Sequence, residues 1–173
     1  MLSEAMAAAL NGQVNHEFFS SYFYLAMSNW CDENGLRGFG KWLRIQAEEE
    51  MAHAMIIYRY MGDRDTKVVL EAIEKPTQTF ESLMAIIKAA LEHERGVTQR
   101  FHKITALAEK ENDYATTSFV RFFIDEQVEE EASFRDLIDQ LKLVGEHGHA
   151  VFMLDREFGQ RQFVLPPSLA NYF

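Results

Sequence analysis

The chain has 173 residues and a hydrophobic content of 47%, enough for one domain with a sizeable core. Seventeen basic against twenty-seven acidic side chains leave a formal charge of -10, which disfavours nucleic acid as a partner and favours the attraction of cations. A single cysteine, Cys31, excludes an internal disulfide. No run of about eighteen apolar residues offers a membrane span, and the start carries Glu4 without the basic region of a signal peptide, so a reduced cytoplasm is the expected compartment.

Breakers at Asn34-Gly35, Gly62-Asp63, Pro76, Asn112-Asp113, Gly145 and Gly159 cut the chain into helices. The spacing predicts helices over about 3–33, 37–62, 79–110 and 114–144, and a short fifth over about 147–158. Residues 1–159 then form one domain, followed by a tail, 160–173. The first helix carries a stripe of Met6, Leu10, Gln13, Glu17, Ser21, Tyr24 and Ser28. The second gives Phe39, Leu43, Gln46, Glu50, His53, Ile57 and Tyr60. The third alternates by three and four through Phe80, Leu83, Ile87, Ala90, Glu94, Val97, Phe101, Ile104 and Ala108, and the fourth through Val120, Phe123, Gln127, Glu130, Phe134, Leu137, Leu141 and Val144.

Each of the four long helices is roughly 40 Å long at about 1.5 Å per residue, a length that suits a bundle. Short links join the first helix to the second and the third to the fourth. Between the second and third, Asp63 to Gln78 makes a connection of about sixteen residues, long enough to run the length of a bundle. The expected fold is all-α, a four-helix bundle with one long crossover and a short fifth helix.

Glu17, Glu50, His53, Glu94, Gln127 and Glu130 stand where those stripes should be apolar. An ionised carboxylate in a core costs several kcal/mol, of order the figures for unpaired buried charge, unless it is paired or bound to metal. No lysine or arginine occupies the stripes; two divalent cations would neutralise the four glutamates. Residues at i and i+3 share a helix face, so Glu50 with His53, and Gln127 with Glu130, can each approach one ion. Carboxylates with one imidazole suit Fe(II) or Mn(II), whereas structural zinc recruits thiolates. Two metals about 3.5 to 4 Å apart could pass two electrons to dioxygen.

Three motifs carry a family resemblance: Asn15-His16-Glu17 with Tyr24, Glu48-Glu49-Glu50-Met51-Ala52-His53, and Glu126-Gln127-Val128-Glu129-Glu130-Glu131. The chain resembles the prokaryotic non-haem ferritins, bacterial or archaeal, from its first residue to about Gly159. The resemblance implies a ferritin-like bundle and one iron site at Glu17, Glu50 and His53. It implies a second at Glu50, Glu94 and Glu130, with Gln127 as a weak ligand or hydrogen-bond donor. Glu49, Glu126 and Glu129 match the third iron site of such ferritins, with Glu130 shared, although glutamate runs of this kind are ordinarily solvated helix faces. Tyr24 falls near the site, either as a hydrogen-bonding or electron-donating group or as a core tyrosine. The implied activity is oxidation of Fe(II) by dioxygen or hydrogen peroxide, then storage of ferric mineral inside a hollow shell of twenty-four identical subunits.

Other readings are weaker. The same bundle hosts di-iron oxygenases and peroxide scavengers, but rubrerythrin-like relatives need a cysteine-rich iron site that one cysteine cannot build. Met51 follows Glu50 as does the haem-binding methionine of bacterioferritins. Those proteins carry Glu-x-x-His in the fourth helix, where this chain has Gln127-x-x-Glu130, so haem is not expected. His147 and His149 read as a polar turn before a metal pair. Cys31 reads as structural, His93 and His102 fall off the seam, and the tail with Pro166-Pro167 has no expected role beyond docking on the shell.

Overall fold

A computed structural model of the chain describes residues 1–145 and 148–164. Five helices follow one another: α1 (Glu4–Glu33), α2 (Arg37–Asp63), α3 (Leu83–Lys110), α4 (Tyr114–Val144) and α5 (Gly148–Phe158). There is no strand among the described residues. α1, α2 and α5 belong to one compact unit, and α3 and α4 to another. His147 and the Pro166-Pro167 segment of the tail lie outside the described residues, and His149 is exposed.

The helix boundaries fall within a residue of the expected ones except at the third helix, which starts at Leu83 instead of 79. Ser82 decides this. It is extended, at φ -164°, and its hydroxyl accepts the Ala85 N–H at 3.1 Å, satisfying one of the first-turn donors. Phe80, read as the first residue of that stripe, therefore precedes the helix and is only half-buried. Ser3 and Asp113 cap α1 and α4 in the same way, through the Met6 and Thr116 N–H groups.

Three helices stop by one mechanism. After α1, Gly35 takes φ +78° while the Leu36 N–H returns to Cys31 O at 2.8 Å. After α2, Asp65 takes φ +52° and Thr66 returns to Met61; after α3, Asn112 takes φ +56° and Asp113 returns to Ala108. These are left-handed caps that satisfy the last carbonyls, suited to glycine and tolerated by asparagine and aspartate. The chain reverses within a few residues after α1 and after α3.

Two side-chain clamps set the α1/α2 register. Ser28 Oγ donates to Gly40 O at 2.8 Å and Ser21 Oγ to Ala47 O at 2.7 Å. As α1 runs back from 28 to 21, α2 advances from 40 to 47, so the helices are antiparallel, and continuing the progression brings Glu17 opposite Glu50. The crossover after α2 turns back along α1: Val69 N–H donates to Asn11 Oδ1 at 2.7 Å, Asn15 Nδ2 donates to Val69 O, and Glu71 N–H donates to Asn15 Oδ1. In the second unit, Phe101 stacks on Phe123 with centroids 4.8 Å apart, and Gln127 reaches Glu94. α3 and α4 are therefore antiparallel too.

α2 has no capping side chain of its own at Leu36. Asp155 of α5 supplies one, its Oδ1 accepting the buried Phe39 N–H at 2.9 Å. The approach is close enough that a Cβ on Gly38 would lie 1.6 Å from Asp155 O. Phe158 stacks on Phe39 and meets Trp42 edge-on.

Asp155→Ala should cost about 1–2 kcal/mol, read as a fall of a few degrees in Tm together with faster hydrogen exchange at the Phe39 amide. Cys31 is fully buried, and burial, helped by Asp32 and Asp155, pushes its thiol up to about 12. It remains a neutral thiol at pH 8, so native protein should resist iodoacetamide there while unfolded protein alkylates at one site per chain.

Candidate metal centre

Most positions of the stripes read from the sequence are buried. Met6, Leu10, Gln13, Glu17, Ser21, Tyr24 and Ser28 of α1 are each 4% exposed or less. On α2, Glu50 is 3% exposed and His53 is half-buried. These positions recur every three or four residues, so the apolar row that forces each helix against its neighbour also carries the carboxylates inward.

Among the described residues, Glu17, Glu50 and His53 bring a carboxylate oxygen, a second carboxylate oxygen and an imidazole nitrogen within 4.8 Å of one another. Ligands about 2.0–2.3 Å from one ion stand roughly 3–4.5 Å apart, so the spacing fits a single divalent cation. His53 Nδ1 lies 3.6 Å from Glu50 Oε2, too far for a hydrogen bond and close enough for attraction. Gln13 Nε2 donates to Glu17 Oε1 at 2.7 Å. No donor among the described residues reaches Glu17 Oε2.

Burial raises the Glu17 carboxyl well above its ordinary value, and the Glu50 carboxylate adds to the rise; His53 and Gln13 act in the opposite direction. A hydrogen-bond acceptor with no donor, facing a second carboxylate in a buried seam, fits a cation that completes it.

In the second unit Glu94 is fully buried and Gln127 is 4% exposed. Gln127 Nε2 donates to Glu94 Oε2 at 2.9 Å and to Glu94 O at 3.1 Å. Thr98 Oγ1 donates to Glu131 Oε1 at 2.8 Å, and Arg135 pairs with Glu131 at 3.1 Å. Glu130 is half-buried, Glu126 is half-buried and Glu129 is exposed. These four expected ligands, Glu94, Glu126, Glu129 and Glu130, belong to the second unit. His93 is pushed down to about 4 by burial, with Arg100 adding to the effect, and is neutral at pH 7.

Glu49 is half-buried and faces a cation within its own unit: Arg161 Nη2 donates to its Oε1 at 3.0 Å and its Oε2 at 2.8 Å. The sequence did not disclose this pair, nor a role for Gln13 beyond its place in the stripe. Spacing could have found Gln13, which lies one turn before Glu17; nothing local links positions 49 and 161. Met51 is 42% exposed and lines an apolar hollow with Leu25 and Phe163.

A family model for the ferritin-like domain matches residues 7–144. The chain belongs to the ferritin family. It is 40% identical to a bacterial non-heme ferritin of Staphylococcus epidermidis over 163 residues, covering 94% of this chain and 98% of that one. A Staphylococcus aureus bacterial non-heme ferritin is 39% identical over the same shares. Among solved structures, an open-pore ferritin from the archaeon Archaeoglobus fulgidus is 42% identical with a TM-score of 0.91, covering 93% of this chain and 98% of that one. An engineered closed form of that ferritin scores 0.93 at 41% identity, covering 95% and 100%. The fold is thus the all-α ferritin-like four-helix bundle with a short fifth helix, and the chain is similar to prokaryotic non-haem ferritins.

Glu17→Gln keeps the shape, lets Gln13 still donate, and turns the donor-less oxygen into an amide that can donate to Glu50. Metal-free protein should gain on the order of 1 kcal/mol, while the rise in Tm caused by anaerobic Fe(II) shrinks. Thermal unfolding with and without Fe(II) checks both; a metal-free variant less stable than wild type contradicts the account.

Proposed function

We propose that the protein is an iron-storage ferritin that oxidises Fe(II) and deposits the ferric product as hydrated oxide inside a hollow homo-oligomer of twenty-four subunits in the cytoplasm. The observation that carries this is the buried Glu17, Glu50 and His53 cluster in a chain of the ferritin family. Among the described residues no helix is long and apolar enough to cross a membrane.

Fe(II) is the substrate. Glu17, Glu50 and His53 hold one ion; Glu50, shared with Glu94 and Glu130, holds the second. Gln127 fixes a Glu94 oxygen through its amide without adding charge. Two Fe(II) give up one electron each, and dioxygen takes both with two protons to become hydrogen peroxide; hydrogen peroxide can itself serve as oxidant, being reduced to water. Ferric ions then hydrolyse, releasing protons and forming the oxide. Carboxylates favour the more highly charged product, which supplies the direction of the reaction.

Glu49, Glu126 and Glu129, with Glu130, form a third site that takes ions leaving the pair. Tyr24 is fully buried two turns beyond Glu17 on the same face of α1, which supports a role beside the centre. The composition of the Gln127-x-x-Glu130 pair supports a haem-free ferritin over a bacterioferritin.

Aerobic Fe(II) mixed with metal-free protein should produce ferric absorbance rapidly, and Glu50→Ala, which removes a ligand outright, should slow it about a hundredfold, the upper end of what loss of a group supporting a ligand costs. Equal rates would sink the catalytic reading. A particle of about twenty-four chains by light scattering tests the shell separately.

A further inference from the structure

Glu49 is offered to metal by the third-site reading, yet in the folded chain a guanidinium already occupies it. Arg161, just beyond α5, sets Nη2 against both Glu49 oxygens and Nη1 against Gln46 Oε1. Its carbon Cζ lies 5.7 Å from the centroid of the Trp42 ring, which is itself packed edge-on against Phe158. Lys41 Nζ donates to Gly159 O at 2.8 Å, fixing the backbone two residues earlier. Arg161 is therefore held from three sides, and a planar fork so held loses little freedom in pairing with a carboxylate.

Such a cation opposes a metal ion in two ways. It engages both oxygens that a divalent ion would use, and its positive charge repels the ion. The side chains of Arg161 and Glu49 are 31% and 20% exposed, so the competition is partly screened. It sets affinity rather than forbidding binding.

We propose that Arg161 is a built-in competitor for metal at Glu49, weakening the third site so that iron there exchanges instead of remaining bound. The inference rests on the reading of Glu49 as a third-site ligand. Arg161 touches neither oxidant nor the Glu17, Glu50 and His53 cluster, and acts through Glu49 alone.

Anaerobic Fe(II) titration of the assembled metal-free protein by calorimetry resolves classes of site. Arg161→Gln should tighten the weak class about two- to fivefold, the range a partly exposed ion pair supplies, and leave the tight class unchanged. Arg161→Lys, which keeps charge but not the fork, should fall between. Glu49→Gln, alone or with Arg161→Gln, should remove the weak class. An unchanged or weakened class in Arg161→Gln, with Tm and particle size intact, overturns the competitor while the third site stands. If Arg161→Gln fails to assemble, Arg161→Lys decides: affinity equal to or weaker than wild type overturns the proposal. A weak class that survives Glu49→Gln overturns the third-site reading and the competitor with it.

Discussion

Glu17 and Glu50 face each other in a buried seam, and two carboxylates there repel unless a proton or a cation lies between them. Most of the α1/α2 design follows from that constraint. Ser21 and Ser28 lock the register by donating to α2 carbonyls, so the carboxylates cannot slide apart to relieve the repulsion. Gly40 lies close to α1, since a Cβ there would come within 3.3 Å of Ser28 O. The stabilisation that tolerates such a seam comes from its apolar neighbours, including Met6, Leu10, Leu43, Ile56 and Ile57, all fully buried. Stability is spent at the site and recovered in the rows on either side, the usual arrangement at a functional centre.

The α3/α4 pair handles a buried glutamate by other means. Gln127 gives Glu94 a neutral donor, satisfying one oxygen without supplying a counter-charge. Glutamate at that position would set a second negative group against Glu94, and histidine would compete as a ligand. The amide holds one Glu94 oxygen in place and adds no charge of its own. An arginine at that position would have brought a full positive charge to the carboxylate instead.

Periodicity made the fold legible. Every member of the α1 stripe and of the α3 stripe from Leu83 onward is buried, because a three-and-four repeat leaves one face of a helix no other way to escape water. The start of α3 was misread because Phe80 continues the apolar spacing, while the helix boundary belongs to the Ser82 cap, a local hydrogen bond that hydrophobic spacing cannot see. Glutamate identity was legible and its neighbours were not. Position 129 is exposed while 126 and 130 are half-buried, although the residues are alike, since a phase error of a few tens of degrees moves a side chain from seam to solvent.

Long-range pairs were beyond such reading, and they explain what α5 does. Asp155 caps α2 at Phe39, the residues around Phe158 and Gly159 hold Trp42 and Lys41, and Arg161 reaches Gln46 and Glu49. The contacts climb α2 in order from its first turn to the residue preceding Glu50. Adjacent residues on a helix point about 100° apart, so Glu49 can answer to the chain's later segment while Glu50 faces the seam. One helix thus carries two adjacent carboxylates with different partners, Glu50 beside Glu17 and His53 and Glu49 against Arg161, so the surroundings of each can be altered by mutation without replacing the other.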